Sequence, residues 1–160
     1  MKKNYIALIA GLFLITSCET TGSGSGDAVP TNNYATGESS IANLQAYLQN
    51  EVGDRAYFDT DKHNINAAAA FILEAQANWL NSTPGFTIRL EGHCDERGTR
   101  EYNLALGERR ANSAKDYLMT YGISSDRISV LSYGKERPVD AGSNPLAWSK
   151  NRRSVTVKAN

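Results

Sequence analysis

Apolar and polar positions from residue 41 onward follow two periods, and the switches between them mark the elements. Ile41, Leu44 and Leu48 recur at helical spacing behind Ser39 and Ser40, which suit an N-cap, so a short amphipathic helix is predicted there, followed by a strand over Arg55 to Phe58. Ile65, Ala69, Ile72, Trp79 and Leu80 fall on one stripe around the helix-favouring run Ala67 to Ala70, which predicts a second helix from about Ile65 to Leu80. Asn81-Ser82-Thr83-Pro84-Gly85 stops it. Phe86, Ile88 and Leu90 then alternate with Thr87, Arg89 and Glu91, the period of a strand with one face in a core. Leu104, Gly107, Ala111, Ala114, Leu118 and Tyr121 mark a long helix that Gly122 can close in a left-handed conformation. Ile128, Val130 and Leu131 predict a third strand, and Val155 and Val157 a last one.

The order is strand, helix, strand, helix, strand, loop, strand. It predicts an α+β fold in which helices pack on a small mixed β-sheet as a two-layer sandwich. Residues 41–160 suit one such domain with one core, and no internal repeat is visible.

Upstream of residue 41 the pattern changes twice. Lys2 and Lys3 precede an apolar run from Tyr5 to Ile15 that is too short to span a bilayer and has the layout of a secretory signal, so residues 1–17 are expected to be removed. The segment Ile15-Thr16-Ser17-Cys18 resembles a lipobox, which makes Cys18 the expected site of lipidation. At about 0.8 kcal/mol per buried methylene, two or three acyl chains hold a protein on a membrane durably. In the bacterial lipoproteins that this start resembles, an Asp after the Cys favours retention on the inner membrane; Glu19 stands there instead, which points to the outer membrane with the domain facing the periplasm. Residues 18–40 are rich in Gly, Ser, Thr and Asn and read as a flexible tether, reaching roughly 70 Å if extended and about 25 Å as a coil.

The chain of 160 residues has 17 basic and 17 acidic side chains, and losing Lys2 and Lys3 leaves a small acidic excess. That balance argues against nucleic acid as a partner. With Cys18 taken by lipid, Cys94 has no partner in a compartment where disulfides form, so it must be buried, unreactive or open to an intermolecular bond.

The densest chemistry lies in "EGHCDERGTREYN", Glu91 to Asn103, between a predicted strand and the long helix. A metal would need His93, Cys94, Asp95 and Glu96 to converge, but consecutive residues diverge and the spacings are not those of a ligand pair, so no metal or other cofactor is expected. His93 or Cys94 as base or nucleophile lacks an orienting partner and an oxyanion donor in register, and His63 is distant, so no catalytic residues are assigned and a non-enzyme is expected. The third possibility is a socket for a zwitterion. Asn103, Leu106 and Arg110 share one helix face directly after the loop that carries Asp95. An Asp can take an ammonium while an Arg fork takes a carboxylate. The alternative, in which Asp95 and Arg110 pair with each other or with solvent, is equally compatible with the spacing.

"YFDTDKHNI", "EGHCDERGTREYNLALGERRANSAKDYL", "ISVLSYGKERP" and "WSKNRRSVTV" occur in that order from about Arg55 to Lys158. Together they resemble the family that shares the peptidoglycan-binding C-terminal domain of outer membrane protein A, in its lipoprotein subgroup. The resemblance implies non-covalent binding of the cell-wall stem peptide through diaminopimelate, with Asp95 on the ammonium and Arg110 on the carboxylate. It further implies that Asn103, Leu106, Phe58 and Asp59 lie near the ligand, and that Arg97 matches an Arg of the lipoprotein subgroup. Asn151, Arg152 and Arg153 match an Asn-Arg-Arg whose role, structural or ligand-contacting, stays open. As further partners it implies the periplasmic propeller protein and the inner-membrane proteins of the Tol system. Where the family has Thr, this chain has Cys94, and a hydrogen bond within the loop is expected to weaken by about 1 kcal/mol.

Overall fold

A computed structural model of the protein describes residues 43–159; the expected signal, the lipidation site Cys18, the tether and the Ser39-Ser40-Ile41 cap lie outside them. Residues 43–47 are helical and widen into a π-type turn, Leu48–Val52, that ends where the Gly53 amide donates to the Leu48 carbonyl at 2.9 Å. Gly53 has φ of 92°, a conformation open to glycine at little cost.

Four strands follow: β1 (Arg55–Tyr57), β2 (Ile88–His93), β3 (Ile128–Gly134) and β4 (Arg153–Lys158). They form one mixed sheet in the order β1-β4-β2-β3, with β2 parallel to β3 and antiparallel to β4, and β1 antiparallel to β4. Beyond the helical residues 43–47, three α-helices accompany them among the described residues: α1 (Ala67–Ser82), α2 (Arg100–Thr120) and the short α3 (Pro145–Asn151). Because β2 and β3 are parallel, the chain must cross the sheet between them, and α2 is that crossover. The expected two-layer α+β sandwich is therefore present, with the last strand inserted between β1 and β2 rather than added at an edge.

Each helix starts where its side-chain cap dictates. Asn66 accepts from the Ala69 amide at 2.9 Å, Thr99 from the Tyr102 amide at 3.2 Å, and Asn144, ahead of Pro145, from the Ala147 amide at 3.0 Å. α2 closes as expected: Gly122 has φ of 86° and the Ile123 amide returns to the Leu118 carbonyl.

The core combines Leu73, Ala77 and Leu80 of α1, Ile88 and Leu90 of β2, and Ala111, Ala114 and Leu118 of α2. This corrects the predicted stripe of α1. Ile72 and Trp79 are half-buried, while Leu73, Gln76 and Ala77 face inward. The buried Gln76 explains the rotation. Its amide donates to the Gly53 carbonyl at 2.7 Å and its carbonyl accepts from Thr156 at 2.7 Å, so a polar side chain is satisfied in the core and ties the turn, α1 and β4 together. Leu104 is a second correction. It is 49 % exposed, because the first turns of α2 approach the sheet with backbone, against Gly134, and turn this side chain outward. Leu131 is also exposed, since it alternates with the core-facing Val130 and points to the sheet face away from α1 and α2.

The contact between α2 and β2 is very close. A Cβ on Gly92 would stand 1.8 Å from the Gly107 carbonyl oxygen, so neither glycine can carry a side chain. This approach fixes the start of α2 over the end of β2.

Candidate binding cavity

The close Gly92–Gly107 packing places the six-residue loop after β2 beside the inner face of α2. Three consecutive residues at this junction separate. His93, the last of β2, points to the sheet face away from α1 and α2 and lies against the Tyr133 ring at 5.4 Å. Burial first, then the cations Arg153 and Arg137, push its pKa down to about 3, so it is neutral. Cys94 and Asp95 turn toward α2 and line a cavity of about 230 Å³. Among the described residues no three His, Cys, Asp or Glu side chains converge as metal ligands.

Asp95, Arg97, Asn103, Leu106 and Arg110, predicted from spacing and resemblance, all border this one cavity. Phe58 and Asp59 do not. They line a neighbouring hollow and reach the first cavity through Arg110, whose guanidinium lies 5.4 Å from the Phe58 ring and donates to the Asp59 carbonyl.

Arg110 and Asp95 make neither of the pairings the spacing left open. Arg110 is only 1 % exposed, and its guanidinium is held by the protein's own acceptors. Nε donates to the Lys62 carbonyl at 2.9 Å, Nη1 to the His93 carbonyl at 2.9 Å and to Cys94 Sγ at 3.3 Å, and Nη2 to the Asp59 carbonyl at 3.1 Å. Among the described residues no carboxylate forms an ion pair with it. Burial pulls its pKa down from the ordinary value, which is the electrostatic cost of a cation without a counter-charge. One of its five N–H groups, on Nη2, has no partner among the described residues.

Asp95 pairs instead with other arginines. Oδ1 accepts from the amide and Nε of Arg97, both at 3.1 Å; Oδ2 accepts from Arg97 Nη2 at 2.8 Å and from Arg152 Nη1 at 3.3 Å. Burial acts to raise its pKa, but the hydrogen bonds from Arg97 and Arg152 outweigh it and hold the carboxyl below its usual range, so it is charged at neutral pH. The Arg97 side chain is 42 % exposed and also stacks on Trp148, 4.3 Å from the ring centroid.

Asn103 is structural as well as cavity-lining. Its amide donates to the carbonyls of Arg97 at 2.7 Å and Thr99 at 3.1 Å, which pins the loop to α2. Cys94 is free and buried, and burial raises its thiol pKa, so the thiol is held neutral and unreactive. The thiol donates to the Asn103 carbonyl at 3.3 Å and accepts from Arg110, so sulfur fills both bonding directions of a hydroxyl and the loop keeps its tie, though a longer one.

Asn151, Arg152 and Arg153 divide three ways. Asn151 accepts from the amides of Val139 at 2.8 Å and Asp140 at 3.1 Å and fixes the loop before α3. Arg152 belongs to the site through Asp95. Arg153 is buried beyond it, donating to the Asn151 and Arg137 carbonyls at 3.3 Å. Sequence reasoning missed Thr60, Asp61 and Tyr102 in the cavity wall. Asp61 has φ of 60° and accepts from the Tyr102 hydroxyl, closing one rim. An Asp is a residue that tolerates this backbone, but nothing in the hydrophobic pattern shows which way such a turn faces.

Residues 57–152 match the OmpA family. Over 106 residues the chain is 54 % identical to the peptidoglycan-associated lipoproteins of Mesorhizobium japonicum and Rhizobium meliloti, covering 66 % of this chain and 63 % and 60 % of theirs. The match thus spans less than two thirds of those relatives' length. A protein of the same name from Haemophilus influenzae is 39 % identical over 147 residues, 92 % of this chain and 90 % of that one. Among solved structures, the peptidoglycan-associated lipoprotein from Burkholderia pseudomallei superposes with a TM-score of 0.66 at 36 % identity, covering 69 % of this chain and 95 % of that one. The C-terminal domain of Helicobacter pylori MotB reaches 0.62 at 22 % identity over 67 % of this chain and 84 % of that one, a likeness of fold alone.

Proposed function

The chain belongs to the OmpA family, and from that premise we propose that its cavity binds the peptide stem of peptidoglycan non-covalently, through the free ammonium and carboxylate at one end of diaminopimelate. The observation that carries this reading is Arg110: a buried guanidinium, without a carboxylate partner among the described residues, on the wall of an open cavity. A ligand carboxylate supplies the missing counter-charge and takes the spare N–H, worth roughly 1.5 to 3 kcal/mol as a charge-assisted bond. The ammonium goes to Asp95, which lines the same cavity. Arg97 is exposed enough to yield one oxygen at small cost and has Trp148 to rest on, while Arg152 keeps the carboxylate in place. Leu106 packs against the methylenes that join this end to the rest of the stem, and Phe58, Asp59 and Asn103 hold Arg110 and the loop in position.

In this reading the protein links two surfaces. Cys18 carries lipid in the outer membrane, residues 18–40 span the gap and the domain grips the wall from the periplasmic side. Among the described residues no helix is long and apolar enough to cross a membrane. Single contacts of this kind are modest, and many copies on one wall give avidity. No bond is made or broken, and incubation with purified wall should release no soluble muropeptides. We extend the proposal to Tol partners on the resemblance alone, with pull-down of the periplasmic propeller protein, competed by soluble wall fragments, as its check.

The test is calorimetry of the purified chain with a stem peptide containing diaminopimelate against one containing lysine, which lacks the second carboxylate. Preference for diaminopimelate that disappears in Arg110→Leu supports the assignment. Equal binding of the two peptides overturns it.

A further inference from the structure

A second hollow, of about 360 Å³, adjoins the first and is bounded by Tyr57 at the end of β1 and Asp59 just beyond it, Asn66 at the cap of α1, and Lys150 and Arg152 at the end of α3. Nothing in the function proposed above uses it. Arg152 links the two linings, since it borders this hollow and donates to Asp95 of the first. Its Nε donates to the Phe58 carbonyl at 3.0 Å and its Nη1 to Asp95 at 3.3 Å, whereas Nη2 has no hydrogen-bond partner among the described residues although the side chain is only 13 % exposed. A guanidinium fixed by two of its nitrogens and unspent at the third is a pre-oriented donor.

The rest of the lining agrees with this polarity. Asn66 spends its oxygen on the cap of α1, which leaves its NH₂ group as a donor without a partner among the described residues. Lys150 contributes an ammonium held by Asp140 at 2.8 Å in an exposed pair that exchanges readily. The Tyr57 ring, 44 % exposed, supplies an apolar wall. Asp59 adds a negative charge to the lining, which counts more heavily against a dianion such as a phosphate than against a single carboxylate.

We infer that this hollow receives a second carboxylate of the same stem peptide, on a residue linked to the one whose zwitterionic end sits in the first cavity, with Arg152 Nη2, the Asn66 amide and Lys150 as its donors. The inference rests on the function proposed above. Arg152 of the second lining touches Asp95 of the first, the zwitterionic end sits three methylenes from the stem backbone and consecutive Cα atoms are about 3.8 Å apart, so a single stem has the reach to enter both. The first cavity then reads which amino acid is present, and the second reads whether its neighbour is charged or amidated.

The experiment is calorimetry of the purified chain with four probes: diaminopimelate alone, the tetrapeptide stem, the stem with its glutamate carboxylate amidated, and the stem with its terminal carboxylate amidated. We expect one of the two amidations to weaken binding about tenfold, which identifies the carboxylate concerned. Asn66→Asp keeps the helix cap while replacing the donor by an acid, and Lys150→Gln removes the cation. Each should bring the free stem down toward the amidated one and leave diaminopimelate alone unchanged. If diaminopimelate binds but neither amidation matters, the second subsite does not exist and the first cavity's role stands. If none of the four binds, the proposed function itself fails and this inference with it.

Discussion

Arg110 and Arg153 are both buried, both held chiefly by backbone carbonyls and, among the described residues, both without a salt-bridged carboxylate. They lie on opposite sides of the sheet and differ in what surrounds them. Arg110 borders an open cavity, with four of its N–H groups anchored. Arg153 lines none of the cavities described above; its Nε has no partner, and it lies among Arg55, Tyr57, Asp54, Glu91 and the neutral His93. The pair shows that burial of a cation does not by itself mark a site. The same cost in solvation supports binding where a ligand can reach the charge, and is only tolerated where none can.

The strongest way to probe the Arg153 side is acid. The folded state keeps His93 neutral down to about pH 3, against an ordinary value of 6.5, so the unfolded chain binds more protons between those limits and stability falls as pH drops from 6.5 toward 3. At about 1.4 kcal/mol per pH unit the loss approaches roughly 5 kcal/mol. Urea midpoints measured across that range should decline steadily, and His93→Gln should flatten the decline. An unchanged slope in that variant would remove His93 as the cause.

Exchanging the two arginines for leucine sharpens the contrast. Arg110→Leu leaves the carbonyls of Lys62, His93 and Asp59 without their donor and should cost about 2 to 4 kcal/mol in urea unfolding, together with loss of sedimentation with purified wall. Arg153→Leu leaves the carbonyls of Asn151 and Arg137 without a donor but also removes a buried cation whose Nε is unpaired, so it should cost less stability than Arg110→Leu and should leave wall binding intact. If both variants lose the wall equally, the distinction between them is wrong.

Asp95 gives a milder test by pH. Its carboxyl lies below the ordinary 3.8, so the stability it contributes is complete above that value and is lost as pH falls through the lower folded one. Affinity for a diaminopimelate peptide, as far as Asp95 governs it, should be level from pH 8 down to the ordinary carboxylate range and collapse only below it. A midpoint near neutrality would implicate another group. Arg97→Ala is expected to have the smallest effect: little change in stability, as for exposed ion pairs, and two- to threefold tighter binding of the peptide because a competitor for Asp95 is gone. Weaker binding would make Arg97 a direct contact instead.

Much of this architecture was legible in the chain before any coordinates. The period-two run at Ile88 and Leu90, the alanine-rich stretch of α1 and the closing Gly122 all belong to the elements expected of them, because local periodicity and turn chemistry are properties of short segments. The helical spacing of Asn103, Leu106 and Arg110 correctly placed them on one face, and the loop brought Asp95 to the same cavity. What the chain could not show is which groups satisfy one another. Gln76 turns inward because Gly53 and Thr156, distant in sequence, complete its hydrogen bonds. Arg152 reaches Asp95 only because β4 inserts between β1 and β2. Leu104 faces solvent because Gly134 admits the α2 backbone instead. Periodicity reports the direction of a side chain relative to its own helix or strand, whereas its partner, its burial and therefore its charge are set by whatever the fold places opposite.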